Sequence, residues 1–189
     1  MNRRSFSEEY SKKQIGWHIL SHILLVLRMY VIFGFSAQNG ESSGGLSAKL
    51  CLWIVTTLNN LFHIGWGELQ LAEFAGLLGY PVRKLAHMTE FGILAMLFYW
   101  VFSFYPKIRG NVETYVSQSG FRADAPSKKK HYLFAFFSTV LYAGLDEFHQ
   151  LFIPDRSGNL FDVCVDSTGA LLALLFIWAV TNLYRKLRE

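Results

Sequence analysis

The chain has 189 residues, of which 52% are hydrophobic, 16% aromatic and 17% charged. It has the length of one domain but is more apolar and less charged than an ordinary soluble domain. The formal net charge is +4. Because the basic residues cluster beside apolar segments, outside any nucleic-acid-binding motif, they favour anionic membrane lipids over nucleic acid as partners.

Four apolar segments are long enough to cross a bilayer as helices, which takes about 20 residues. They are residues 15–35, 85–105, 132–153 and 163–184. The first is not typical of a signal peptide, because acidic residues precede it and no small-residue cleavage site follows. The sequence therefore predicts an all-α integral membrane protein with four transmembrane helices and a membrane domain over residues 15–184.

The stretch between the first two predicted spans has a different pattern. Residues 50–66 place apolar side chains on one helical face and polar ones on the other, which indicates an amphipathic helix in the outer interface. Residues 66–78 are predicted to form a second short interfacial helix before a turn at 79–81. A fifth span over residues 50–66 is the alternative, but it would move the later lysine cluster to the other side.

Lysines and arginines orient the predicted helices, because cytoplasmic loops are enriched in both. Thirteen of the 18 fall on one side of a four-span topology, in the tails 1–14 and 185–189 and in the loop 106–130. Four fall on the other side, and Arg28 lies within the first span, where it needs an acidic partner. Both tails and the basic loop are therefore predicted to be cytoplasmic.

Two polar clusters interrupt the apolar pattern near the predicted outer surface. One opens the second span and places three polar residues on one helical face: Lys84, His87 and Glu90. The other closes the third span and continues into the fourth: Asp146, Glu147, Gln150, Arg156, Asp162 and Asp166. Ionisable groups at membrane depth are costly and indicate a functional site. Small residues at 169 and 173 favour close helix packing, so we expect the clusters to converge in an outward-facing polar pocket.

Three interpretations of this pocket stay open. It is a structural network holding helices or a partner protein, or a binding pocket in which Lys84 and Arg156 clamp an anion. Alternatively it is the site of a membrane-embedded hydrolase or transferase with Asp146 or Glu147 as general base. In that case His87 or Lys84 stabilises developing charge. The catalytic candidates are Asp146, Glu147, His87 and Glu90.

Metal and cofactor chemistry is weakly indicated. His87 and the neighbouring carboxylates include metal-ligating residue types, but no zinc-binding signature is present. We therefore assign no metal ligand and no cofactor. The two cysteines, Cys51 and Cys164, have no zinc spacing either, and we interpret them as small buried hydrophobic residues.

Three blocks of sequence resemble the VanZ-like family of small multi-pass bacterial membrane proteins, named for a teicoplanin-resistance accessory. They are FSAQNGESS at 35–43, RKLAHMTEF at 83–91 and DEFHQLFIPDR at 146–156. The resemblance covers most of residues 15–180 and implies a cell-envelope protein of the bacterial cytoplasmic membrane. It implies no reaction. The residues that it marks for the site are Ser36, Gln38, Lys84, His87, Glu90, Asp146, Glu147, Gln150, Arg156 and Asp162.

Some members of that family lower susceptibility to lipid-tailed glycopeptides. We therefore expect a pocket for a lipid-linked or membrane-inserting ligand, such as a cell-wall precursor or a lipoglycopeptide like teicoplanin, with membrane lipids as further partners. The enzymatic and structural alternatives remain open. A transporter fits less well, because the sequence shows no internal repeat and no pair of broken helices.

Overall fold

The computed structural model describes the backbone of residues 3–117 and 128–188 and the side chains of 14–39, 44–45, 47–104 and 129–188. Within those ranges the chain forms five helices: α1 (Arg3–Ser36), α2 (Gly40–Phe62), α3 (Glu68–Ser117), α4 (Lys128–Gln150) and α5 (Leu160–Lys186). The predicted all-α class is confirmed for this part of the chain.

Three helical segments in the described part of the chain are long and apolar enough to cross a membrane: Gln14–Ser36, Glu68–Phe104 and Leu160–Lys186. They contain the first and fourth predicted spans and all but the last residue of the second. The third predicted span corresponds to α4, which has 23 residues but carries lysines at its start and two carboxylates near its end. Although α4 packs against α3 and α5, its crossing of the membrane stays a prediction.

The helices α2 and α3 are joined by a tight turn and pack against each other as a hairpin. The turn uses left-handed backbone at His63 and Gly65, with φ of 51° and 82°. The Asn59 side chain fastens it, because its Oδ1 accepts from the Trp66 N–H at 2.9 Å. Trp66 in turn stacks on Phe74 with ring centroids 4.3 Å apart.

The turn predicted at residues 79–81 is wrong, because α3 is unbroken from Glu68 to Ser117. The second interfacial helix predicted for 66–78 is instead the first part of α3. Pro81 removes one backbone donor, but the remaining hydrogen bonds of a 50-residue helix and the packing of α2 hold the helix together.

The outer limits of the predicted segments also shift. The helix α2 begins ten residues before the predicted amphipathic helix, and its place in the interface stays a prediction. The helix α3 enters the predicted loop 106–130, of which residues 118–127 lie outside the described residues. The predicted N-terminal tail is helical from Arg3, and the sidedness of both tails is untested.

Helices α1, α3, α4 and α5 form a bundle around two small apolar clusters. The first comprises Leu25, Ile32, Phe91, Leu94, Val101 and Ala143. The second is built from smaller residues, namely Ala95, Ala135, Ala170 and Leu174. The outward faces of the same helices carry many exposed apolar side chains, as expected for surfaces that meet lipid. Cys51 is buried as predicted, whereas Cys164 is exposed, so that prediction is wrong; both are free thiols.

The helices α3 and α5 approach each other closely where Gly92 faces Gly169. A Cβ added to Gly169 would lie 2.1 Å from the Met88 carbonyl oxygen. The small residues predicted to let the last helix pack closely therefore do so. This contact sets the distance between the helices that carry Lys84 and His87 on one side and Asp162 and Asp166 on the other.

Candidate functional site

The polar site lies where the ends of α1 and α4 and the start of α5 meet α3. On α3 it begins 16 residues after the start of the helix, at a distance of about 24 Å along the axis. We use "polar site" for the following residues: Ser36, Lys84, His87, Asp146, Glu147, Gln150, Arg156, Asp162 and Asp166. The clusters predicted to converge from the second, third and fourth spans are thus brought together, and Ser36 of α1 joins them.

Asp146 joins α4 to the end of α1. The Ser36 hydroxyl donates to Asp146 Oδ2 at 2.7 Å, and the Gln150 amide donates to the same oxygen at 3.0 Å. Gln150 also donates to Glu147 Oε1 at 3.3 Å. All four side chains are buried. The two adjacent carboxylates are therefore bridged by one amide, and Asp146 faces α1.

Arg156 fastens the turn after α4 to the end of α1. Its Nε donates to the Gln38 carbonyl at 3.0 Å, Nη2 to the Phe35 carbonyl at 3.1 Å and Nη1 to Gln150 Oε1 at 3.3 Å. Phe35 lies in the last turn of α1, where carbonyls have no partner four residues on within the helix, and its carbonyl also accepts from the Gln38 N–H at 3.3 Å. Burial lowers the pKa of the guanidinium, and nearby Arg83 lowers it further, but arginine stays charged. The donors predicted to clamp an anion are thus largely used on the protein itself.

The loop before α5 passes close over α4. A Cβ at Gly158 would lie 2.3 Å from the Glu147 carbonyl oxygen, so a side chain there would collide with backbone. The approach lets the Asn159 N–H donate to Glu147 Oε2 at 2.8 Å. The Asn159 side chain accepts from the Phe161 N–H at 2.9 Å and caps α5. The sequence analysis missed both residues, although asparagine before an apolar run with Asp162 in the first turn is a helix-start signal.

An ion pair joins α3 to α5 at the mouth of the site. Lys84 Nζ contacts Asp162 Oδ1, and the two side chains are 19% and 20% exposed. The ammonium also lies 5.2 Å from the centroid of the Tyr80 ring. His87 and Asp166 lie one helical turn further in, so the ion pair covers them.

Beneath the pair lies a cavity of about 20 Å³, which is room for about one water-sized group. It is lined by Arg83, Lys84, His87, Glu147, Gln150, Asp162, Val165 and Asp166. Asp166 is 1% exposed, and neither of its carboxylate oxygens has a hydrogen-bond partner among the described residues. Burying a carboxylate without a partner is costly, and most buried polar groups are paired.

The four predicted catalytic candidates lie in different surroundings. Glu147 and His87 line the cavity, whereas Asp146 faces Ser36. Glu90 lies beside Arg28 of α1, with which it interacts electrostatically. Arg28 thus has the acidic neighbour that the sequence analysis required. The role of all four in catalysis stays a prediction.

The predicted ligand-binding residues also separate. Lys84, Gln150, Asp162 and Asp166 line the cavity. Gln38 has an exposed side chain and contributes its backbone carbonyl to Arg156. In the part of the chain that is described, no three His, Cys, Asp or Glu side chains are arranged to hold a metal ion. The metal alternative therefore gains no support from the geometry.

A second concave feature, which we call the apolar groove, lies on the surface of the bundle along the α3–α5 contact. Its volume is about 280 Å³. The lining residues are Leu85, Met88, Thr89, Gly92, Ile93, Met96, Gly169, Leu172 and Ala173. Leu85 follows Lys84 in the sequence, so the groove begins at the level of the Lys84–Asp162 pair but on a different face of α3, and it runs along the two helices.

Comparison with known proteins gives one match. The family model of VanZ/LLP1 matches residues 21–182, which include every residue of the polar site. The search of curated proteins finds no significant match, and the search of solved structures finds none.

Proposed function

The chain belongs to the VanZ/LLP1 family, and from this premise we propose that its polar site binds the head group of a lipid-linked or membrane-inserting ligand. The observation that carries the proposal is the unpartnered Asp166 carboxylate in a cavity between α3, α4 and α5. A network that served stability alone would be expected to pair such a group. A ligand group that donates hydrogen bonds would supply the missing partners of the Asp166 carboxylate.

The apolar groove supports a ligand with a hydrocarbon chain. It begins at Leu85, at the same level of α3 as Lys84, and its walls offer methyl, methylene and thioether groups. A head group at the Lys84–Asp162 pair and a hydrocarbon chain in the groove would both lie along the α3–α5 contact. The polar site thus offers charged and hydrogen-bonding groups to the head group, and the groove offers apolar walls to the chain.

The proposed topology has four spans, with α4 as the third, in the bacterial cytoplasmic membrane. Thirteen lysines and arginines on the side of both tails and the 106–130 loop, against four on the other, support cytoplasmic termini. The polar site then opens to the outside, where cell-wall precursors and lipoglycopeptides are found. Binding of such a molecule would lower susceptibility to teicoplanin.

An enzymatic role is the second candidate function. Glu147 and His87 share the cavity with Asp166, which favours a membrane hydrolase or transferase over a purely structural network. Both Glu147 oxygens accept hydrogen bonds, from Asn159 and Gln150, and Asp146 is turned toward Ser36. Among the carboxylates of the cavity, Asp166 is therefore better placed to accept a proton than either residue proposed from sequence.

Susceptibility testing distinguishes these roles. A bacterial host expresses the wild type, Glu147→Gln, His87→Ala and the matched control Glu73→Gln, an exposed position on α3, at equal membrane levels. We expect the wild type and control to protect against teicoplanin more than against vancomycin, and both site variants to lose that protection.

Equal susceptibility with and without the protein would remove the antibiotic part of the proposal. Full protection by both site variants would favour the structural alternative. The enzymatic role is tested separately by mass spectrometry of the lipid fraction. A new product with the wild type, absent with Asp166→Asn at saturating ligand, would identify catalysis.

A further inference from the structure

We propose that the group bound at the bottom of the cavity is a primary ammonium, carried by a phosphate-containing lipid head group of the phosphatidylethanolamine type. This inference rests on the proposed function and names the ligand class for the same site. It follows from the order in which the charged side chains lie along the depth of the site, from the size of the cavity and from the position of the apolar groove.

The charges are ordered along the depth of the site. Lys84 and Asp162 form the partly exposed mouth, and Arg83 lines the cavity beside them. Asp166 lies one turn further along α5 and is 1% exposed. The cations therefore lie toward the outside and the unpartnered carboxylate at the bottom, which is the complement of a zwitterion that enters ammonium first.

The size of the cavity selects among ammonium groups. A volume of about 20 Å³ accommodates about one water-sized group. An unsubstituted ammonium has that size and donates three hydrogen bonds, whereas a trimethylammonium is far larger and donates none. The acceptors available are the two Asp166 oxygens, with the Glu147 carboxylate nearby.

The spacing also agrees with a two-carbon linker. Four residues separate the level of Asp162 from that of Asp166, a rise of about 6 Å. An ethanolamine unit spans a comparable distance, because four bonds join its phosphorus to its nitrogen. With the ammonium on Asp166, the phosphate therefore lies near Arg83 and Lys84, where charge-assisted hydrogen bonds are available. The acyl chains then reach the groove that begins at Leu85.

The test measures binding of short-chain phosphatidylethanolamine, its mono- and dimethyl derivatives, phosphatidylcholine and phosphatidylglycerol to the purified full chain by native mass spectrometry. We expect phosphatidylethanolamine to bind at least about tenfold more tightly than phosphatidylcholine, because hydrogen bonds to a charged group are lost. Affinity should fall stepwise with each methyl group. This series uses only the wild type and does not depend on the folding of a variant.

Asp166→Asn keeps the shape of the side chain and removes its charge. It should lower phosphatidylethanolamine affinity about tenfold and leave phosphatidylglycerol binding unchanged. The matched control is Asp155→Asn, an exposed position in the turn after α4 where asparagine tolerates the φ of 58°. This control should preserve the preference for the amine.

Equal affinity for phosphatidylethanolamine and phosphatidylcholine, or an unchanged preference in Asp166→Asn, would overturn the ammonium assignment. Soluble phosphoethanolamine binding as tightly as the lipid would overturn the lipid source. Loss of teicoplanin protection with amine selectivity intact would count against the proposed antibiotic role alone. Protection without amine selectivity would count against this inference alone.

Discussion

A methyl group at Gly169 should force α5 away from α3. An alanine Cβ there would lie 2.1 Å from the Met88 carbonyl oxygen and 2.7 Å from its carbonyl carbon and Cα. These are backbone atoms of the other helix, so no side-chain rotation relieves the overlap. Moving from 2.1 Å to ordinary contact, which begins at 3.4 Å, requires a separation of about 1.3 Å.

The separation loosens the close contact between α3 and α5. Overpacking of this kind costs about 1–3 kcal/mol. For a chain of this length 1 kcal/mol corresponds to about 2–4 °C, so the Tm of Gly169→Ala should fall by about 2–12 °C. The fluorescence of the five tryptophans reports unfolding in detergent. The Lys84–Asp162 pair spans the same contact, so phosphatidylethanolamine binding should weaken in parallel.

Gly144→Ala is the matched control. It lies on α4 near the depth of the polar site, and a Cβ there meets nothing within 4 Å. Because alanine is the better helix former by about 1 kcal/mol, its Tm should equal or exceed that of the wild type. An unchanged Tm in Gly169→Ala would refute the close contact. Equal losses in both variants would show that the contact is not the cause.

Three further predictions test the contacts that hold the polar site together and the membrane topology of the chain. Arg156→Lys should destabilise the protein by about 1 kcal/mol in thermal unfolding, because one ammonium cannot bridge the three acceptors of the guanidinium. Asn159→Ala should lower the free energy of unfolding by about 1 kcal/mol because the cap of α5 is lost, and Asn159→Asp, which can still cap the helix, should keep the wild-type stability. In a cysteine-free background, Ser157→Cys should react with an impermeant maleimide in intact cells, and Arg188→Cys only after permeabilisation.

Each outcome has a contradicting result. An Arg156→Lys protein with wild-type Tm would show that the carbonyls at the end of α1 do not need the guanidinium. If the aspartate at 159 fails to recover what the alanine loses, the side chain does not act as a cap. Labelling of Arg188→Cys in intact cells would reverse the proposed topology.

The local part of the site was predictable from sequence because helical periodicity is local. Asp146, Glu147 and Gln150 share one face of α4 by their spacing, and all three are buried. Phe148 and Leu151 fall on the other face, and both are exposed. The spacing of residues on one helix is enough for that result.

Contacts between distant segments were not predictable in the same way. Nothing in the spacing of Arg156 indicates that it bonds carbonyls 118 and 121 residues earlier in the chain. The carboxylates of Asp146 and Glu147 are adjacent in sequence, yet only the tertiary structure shows that one faces α1 and the other the cavity. A turn was predicted at Pro81 because proline tends to break helices. The packing of α2 on α3, which supports the helix there, is not apparent from the sequence.

The unbroken helix α3 makes one rigid body of the α2–α3 hairpin and one wall of the polar site. The turn of the hairpin lies about 24 Å along the axis from Lys84. A tilt of about 5° around the site therefore displaces that turn by about 2 Å. With the hairpin in the predicted membrane interface, lateral pressure on it would be transmitted through α3 to the cavity, so that bilayer thickness and curvature would act on the side chains of the polar site.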